Sequence, residues 1–330
     1  MPRSGSVDVH QHLWTPGFVD ALRARPRAPR LEGWTLFVDG AAPYPADPAD
    51  HDVRRRAALA AADGLDLALV TMSAGLGVEW LPPAQASVLL DAYHAGALDL
   101  PLPFRAWAAA GLVDPDPAAL EALLDNGFVG LELPATALLD AAGYDRCAAL
   151  LTVLERRGVP LLVHPGLASV SDGRPGWWAP VVDYVQQMHA AWYAFRAVGR
   201  DRFPGLRVCF TLLAGLAPLH GERLRARGGD DRGRIDPDAF VDTSSYGPRA
   251  IDAAVRVLGV DVVVHGSDRP WATPPVTGLG DAGDAAVRST NPLRLLHGAR
   301  PPTPRLRSGT AASILADDRT LADDRTGGPP

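Results

Sequence analysis

Two histidines one residue apart, His10 and His12, stand in the run Val7-Asp8-Val9-His10-Gln11-His12. Read as a strand, positions i and i+2 share a face, so both imidazoles point the same way. Paired neutral imidazoles supply half of the shell that a borderline divalent cation needs. A third histidine, His164, ends the apolar run Leu161-Leu162-Val163, and Asp268 stands just past Val262-Val263-Val264-His265. Alone, each is an ordinary strand-end residue. Together, three histidines and a carboxylate at the ends of separate strands make a candidate metal site.

Bringing residues 10, 12, 164 and 268 together requires a fold whose distant strands end side by side. Nearly continuous apolar runs begin near Val7, Asp66, Phe104, Phe128, Pro160, Arg207, Ala239 and Val262, as expected of parallel strands covered on both faces. Glycines at Gly64, Gly127, Gly158 and Gly259 close the helical stretches before four of them. Asp116-Pro117 opens a helix with a cap and an N1 proline. Ala179–Val198 carries Val182, Val185, Met188, Ala191, Trp192 and Phe195 on one helical stripe. Eight strands alternating with helices is the count that closes a (β/α)8 TIM barrel. An open doubly wound sheet is the second choice, disfavoured because no Gly-x-Gly-x-x-Gly turn follows the first strand.

Two segments fall outside this alternation. Residues 12–50 are rich in proline and, inserted after the first strand, are expected to form a lid or pocket wall over the barrel mouth. From Arg300 the chain is proline-rich and then duplicated, with Leu-Ala-Asp-Asp-Arg-Thr at Leu315–Thr320 and again at Leu321–Thr326. Residues 300–330 are therefore expected to be a disordered tail after a single domain spanning 1–299.

Composition excludes several kinds of chemistry. The net charge of −6 leaves no basic surface for nucleic acid or anionic membrane. Two cysteines, Cys147 and Cys209, exclude a disulfide scaffold and a cysteine-rich zinc site. The sequence contains no lysine; all 32 basic residues are arginine. Schiff-base catalysis, a phosphate-loop lysine and a carbamylated lysine between two metals are thus ruled out. No run of 18 apolar residues occurs, and Met1–Trp14 has no apolar leader core, so a cytoplasmic location is expected.

The ordered motifs resemble the amidohydrolase-related family, in its aminocarboxymuconate-semialdehyde decarboxylase-like branch. They are His10-x-His12, His164-Pro165-Gly166, Phe203-Pro204-Gly205-Leu206-Arg207, Val241-Asp242-Thr243-Ser244-Ser245, Gly266-Ser267-Asp268-Arg269-Pro270 and Asn291-Pro292-Leu293-Arg294-Leu295-Leu296. The resemblance spans about residues 7–298. It implies a distorted TIM barrel holding one divalent metal, zinc first and manganese second, on His10, His12, His164 and Asp268. It also suggests a homodimer. It does not fix the substrate, because the branch holds hydrolases, lactonases, hydratases and decarboxylases.

One departure falls on the chemistry. The family's sixth strand usually ends in a histidine before a glycine-rich turn, and here Leu212 stands at that position. Asp268 is the first choice for general base and His220 the second. Asp242 is expected to hold the free N–H of a ligand histidine, with a strand-end turn role equally open. Arg269, Trp14, Glu132 and Leu212 are the expected substrate contacts, and Trp177, Trp178 and Trp271 suggest a flat or aromatic substrate. His265 is expected to face the helices or back the ligands, His189 to pack among tryptophans, and His51, His94 and His297 to lie on the surface. The leading expectation is a metal-dependent hydrolase of a small amide, ester or lactone. A non-oxidative decarboxylase is the alternative, and a silent barrel the third reading, favoured by Leu212.

Overall fold

The computed structural model describes residues 5–168, 174–229 and 235–298. Its eight barrel strands are Val7–His12, Leu67–Thr71, Phe104–Ala106, Leu131–Pro134, Leu161–His164, Val208–Phe210, Ala239–Asp242 and Val263–Val264. All pair in parallel. Two seams are irregular. Strand three meets strand four through the bridge Ala108–Leu131, and strand eight meets strand one through Gln11–Arg269. The amides of Val9 and His12, donating to His265 and Arg269 carbonyls at 2.9 and 2.6 Å, complete the second closure.

The expected starts agree with the strands to within one residue, except at Phe128, where the strand begins at Leu131. Gly130 accounts for the delay: a Cβ there would lie 2.2 Å from the Pro160 carbonyl and 2.8 Å from the Trp107 ring. The chain passes close to its neighbour here while Val129 and Gly130 already hydrogen-bond to Ala106 and Ala108. Val7, Val9, Leu69, Leu133, Leu161, Val163 and Val263 are buried, and Trp107 donates its indole N–H to the Val9 carbonyl at 2.9 Å. Burial of each such aliphatic side chain is worth roughly 1.5–3 kcal/mol.

The Asp116 carboxylate caps the helix Pro117–Asp125, accepting from the amides of Ala118 and Ala119. The proline-rich insertion folds into the helix Pro16–Arg23 and a small antiparallel sheet of Arg30–Glu32, Thr35–Phe37 and Tyr44–Pro45. Tyr44 rests edge-on against Trp271 at 5.1 Å, so this sheet reaches the loop beyond strand eight. Among the described residues no helix is long and apolar enough to cross a membrane. The expected tail and its duplication lie outside the described residues.

Candidate metal centre

His10 and His12 leave the first strand on one face, and His164 ends the fifth. Asp268 follows the eighth in a left-handed conformation, φ 59, with its amide donating to the His10 carbonyl at 2.9 Å. One donor atom from each of the four lies within 4.8 Å of the others. His10 Nε2 is 3.1 Å from His12 Nε2 and 3.7 Å from Asp268 Oδ1; His12 Nε2 is 3.1 Å from the same oxygen. A tetrahedral zinc shell with ~2.0–2.1 Å bonds has edges of roughly 3.3–3.4 Å. The spacing fits.

The tautomers fit as well. His10 Nδ1 faces Asp242 Oδ2 at 2.8 Å, His12 Nδ1 faces the Thr71 and Ser73 hydroxyls at 2.8 and 2.9 Å, and His164 Nδ1 donates to the Pro165 carbonyl at 2.8 Å. With the Nδ1 hydrogens committed, the Nε2 lone pairs of His10 and His12 face each other, an arrangement that a cation between them resolves. The local field agrees. Burial opposes a positive charge on His10, yet Asp242, Asp268 and Asp8 raise its pKa to about 9. Burial and the neighbouring His10 hold His12 and His164 well below the ordinary histidine value.

Asp242 does more than orient His10. Its Oδ1 accepts from the amides of Leu212 and Ser244 and from the Ser244 hydroxyl, at 2.9, 3.0 and 2.6 Å. Asp8 stitches the closing seam, its Oδ1 accepting from the amides of His10 and Ser267, both at 3.1 Å. Buried Arg56 donates to the His12 carbonyl and to Gln11 Oε1, both at 2.6 Å. Ser245 donates to Asp268 Oδ2 at 3.1 Å. Asp8, Arg56, Thr71, Ser73 and Ser245 escaped the sequence reading. For all but Arg56, which lies inside the helix Val53–Ala62, the one signal was position, a polar residue at or just outside the end of a strand.

Leu212 is buried, its amide on Asp242, and Leu212–Leu216 all have positive φ, between 47 and 60, forming a left-handed turn after strand six. Three of the expected substrate contacts have partners within the protein. Arg269 donates to Asp63 Oδ2 at 2.8 Å, at the opposite, N-terminal foot of strand two, so its guanidinium is committed away from the cluster. Trp14 is 1% exposed and stacked on His51 at 4.3 Å, its indole N–H donating to Ser73 Oγ at 3.4 Å and its ring 5.9 Å from that of Trp271. Glu132 is likewise internal, 1% exposed, accepting the Met72 amide at 3.2 Å.

His220 is exposed and packs on His189 at 4.9 Å. His189 touches Tyr193 and His220 rather than tryptophans. His51, expected on the surface, is buried between Trp14 and Trp34, and His94 accepts the Ala109 amide at 3.1 Å. His265 is buried, with Nε2 3.8 Å from Asp8. Trp271 stays 39% exposed, its ring 6.3 Å from that of His12, and forms an aromatic wall at the mouth.

No family model matches the sequence, and no curated protein matches it either. Solved structures do. The IDCase of Metarhizium anisopliae in apo form superposes with a TM-score of 0.70 at 16% identity, covering 88% of this chain and 97% of that one. The 5-carboxyvanillate decarboxylase of Sphingomonas paucimobilis gives 0.69 at 19%, covering 89% and 99%. The enzyme of that name from Novosphingobium aromaticivorans, complexed with manganese and 4-hydroxy-3-methoxy-5-nitrobenzoic acid, gives 0.69 at 18%, covering 88% and 96%. The chain shares the fold of these proteins over nearly nine-tenths of its length: it is a distorted eight-stranded barrel of alternating strands and helices.

Proposed function

We propose that this protein is a metal-dependent, non-oxidative decarboxylase of a small aromatic or otherwise flat carboxylic acid. The observation that carries the reading is the pairing of a four-donor nest with an apolar sixth strand end. His10, His12, His164 and Asp268 would hold a divalent cation, zinc or manganese, while Leu212 offers nothing to place or deprotonate an attacking water. Loss of carbon dioxide needs no such water: the carboxylate carbon leaves and the substrate carbon takes one proton. The names of the three structural neighbours support the same reading over the hydrolase expected first.

When bound, the cation would supply Lewis-acid stabilisation of negative charge on the substrate. The chain's own residues do the rest. Asp242, Thr71 with Ser73, and the Pro165 carbonyl lock the three imidazoles. Asp268, partly open to the mouth and held by Ser245, is the acidic group placed to move a proton. Trp271 and Tyr44 give a flat substrate an apolar surface to lie against.

The test incubates zinc- or manganese-loaded protein with hydroxylated benzoic acids and with aryl esters and lactones, following carbon dioxide and product. Release of carbon dioxide with the decarboxylated arene is expected. Ester or lactone cleavage without carbon dioxide would restore the hydrolase reading. Silence of the metal-loaded protein toward every substrate would leave a binding barrel.

A further inference from the structure

Two hydroxyls reach one nitrogen of His12 from the segment that leaves the second barrel strand: Thr71 Oγ1 at 2.8 Å and Ser73 Oγ at 2.9 Å. In an extended chain residues 71 and 73 would share a face but stand roughly 6.5 Å apart. They converge because Ser73 is left-handed, with φ 85. That conformation costs a serine about 1 kcal/mol or more, so its surroundings must impose it.

Glu132 is the group that does so. It lies on the fourth strand, 1% exposed, and its Oε2 accepts the amide of Met72, the residue between the two hydroxyls, at 3.2 Å. Burial raises its pKa to about 7, while His10, the Ala74 and Met72 amides and the Thr71 hydroxyl favour the charged form. The carboxylate therefore holds the backbone at the residue just before Ser73. Its other oxygen has no hydrogen-bond partner and sits 4.0 Å from His164 Nδ1. A buried carboxylate with one oxygen left unpartnered is expensive, which speaks for a specific task.

We propose that Glu132 is a positioning residue of the metal centre. By clamping the left-handed turn Thr71–Ala74 it keeps two hydroxyls on Nδ1 of His12, and so leaves Nε2 of that ring free for a cation. Glu132 thus acts on His12 through a turn, as Asp242 acts on His10 directly. The inference rests on the four-residue cluster being a metal site, but not on which reaction that metal serves.

The experiment measures Zn²⁺ and Mn²⁺ affinity by competition with a chromophoric chelator, alongside thermal melting. The variants are Glu132→Leu, Glu132→Gln, Ser73→Gly and the pair Thr71→Val with Ser73→Ala. Glu132→Leu and the hydroxyl pair should each weaken binding by roughly 10- to 100-fold. Glu132→Gln keeps an acceptor for the Met72 amide and should stay much nearer to the parent protein. Adding Glu132→Leu to the hydroxyl pair should weaken binding little further, because one turn carries both effects.

Ser73→Gly relaxes the left-handed strain, so it should melt no lower than the parent yet bind metal more weakly. A merely structural role would not produce that split. Parent-like affinity in Glu132→Leu or Ser73→Gly, or full additivity in the combination, would overturn the proposal. If Glu132→Leu does not fold, Ser73→Gly and Glu132→Gln decide. Failure of the parent protein to bind either metal would instead remove the metal site on which the inference stands.

Discussion

At the end of the first barrel strand the polar atoms around the metal centre are engaged. His10 is held by Asp242, His12 by Thr71 and Ser73, and the backbone of both by Asp8, Arg56 and the residues beyond strand eight. At the end of the sixth strand the chain instead presents Leu212, on a backbone that stays left-handed for five residues, only one of them glycine. At ~1–2 kcal/mol per non-glycine residue, that turn carries several kcal/mol of conformational cost. Buried Leu213 and Ala214 and the Asp242 bond to the Leu212 amide offset it.

One carboxylate thus serves both ends, His10 through Oδ2 and the sixth-strand turn through Oδ1. The turn is anchored by its main chain, so the side chain at position 212 can lose its proton-transfer chemistry without disturbing the ligands. Holding the four candidate ligands and choosing the side chain at position 212 are separable in this architecture.

The largest effect should come from the ligands themselves. His10→Ala or Asp268→Ala should lower zinc or manganese affinity by more than the roughly 10- to 100-fold typical of groups behind a ligand, measured by elemental analysis and chelator competition. Unchanged occupancy in both variants would place the centre elsewhere. On the sixth-strand side, Gly215→Ala tests how rigid the turn is. A Cβ there would lie 2.5 Å from the Val185 carbonyl at φ 60. Strain and overpacking together should cost about 2–4 kcal/mol, which in a chain of this size lowers the melting temperature by about 3–6 °C. Unaltered melting would show that the turn yields.

An effect of similar size should appear in acid on the first-strand side, where the insertion buries His51. Burial, and Arg56 nearby, depress its pKa to about 4, and burial likewise brings His94 to about 4. The unfolded chain, near 6.5, takes up these protons first as pH falls. Their contribution is therefore complete above about pH 6.5 and lost progressively toward pH 4, up to on the order of 3 kcal/mol per group. Urea unfolding at pH 7 and 5 should show this slope, and His51→Phe should flatten it; an equal slope in the variant would contradict the assignment. The smallest effect is expected from His220→Ala. The ring is exposed and rests on His189, so turnover and metal content should hardly change, against the roughly 10²- to 10⁴-fold loss that follows removal of an acid or base. A loss of that size would make His220 the stand-in for the missing sixth-strand histidine.

By itself the sequence determined the eight strands, their order and the four donors. Apolar runs and closing glycines are local signals, and His10 with His12 share a face through the two-residue period of a strand alone. The tertiary structure decided what surrounds those donors. Arg269 stands next to a ligand in sequence, yet its side chain is tied to Asp63 by the irregular closure beside strand one. Trp14 follows His12 by two residues, yet the inserted segment stacks His51 over it. Glu132 reads as a costly acid in an apolar strand until the fold sets it against Met72. Spacing along a chain fixes which way neighbouring side chains point, whereas the partner that a buried polar atom finds depends on strands brought together from far apart in the sequence.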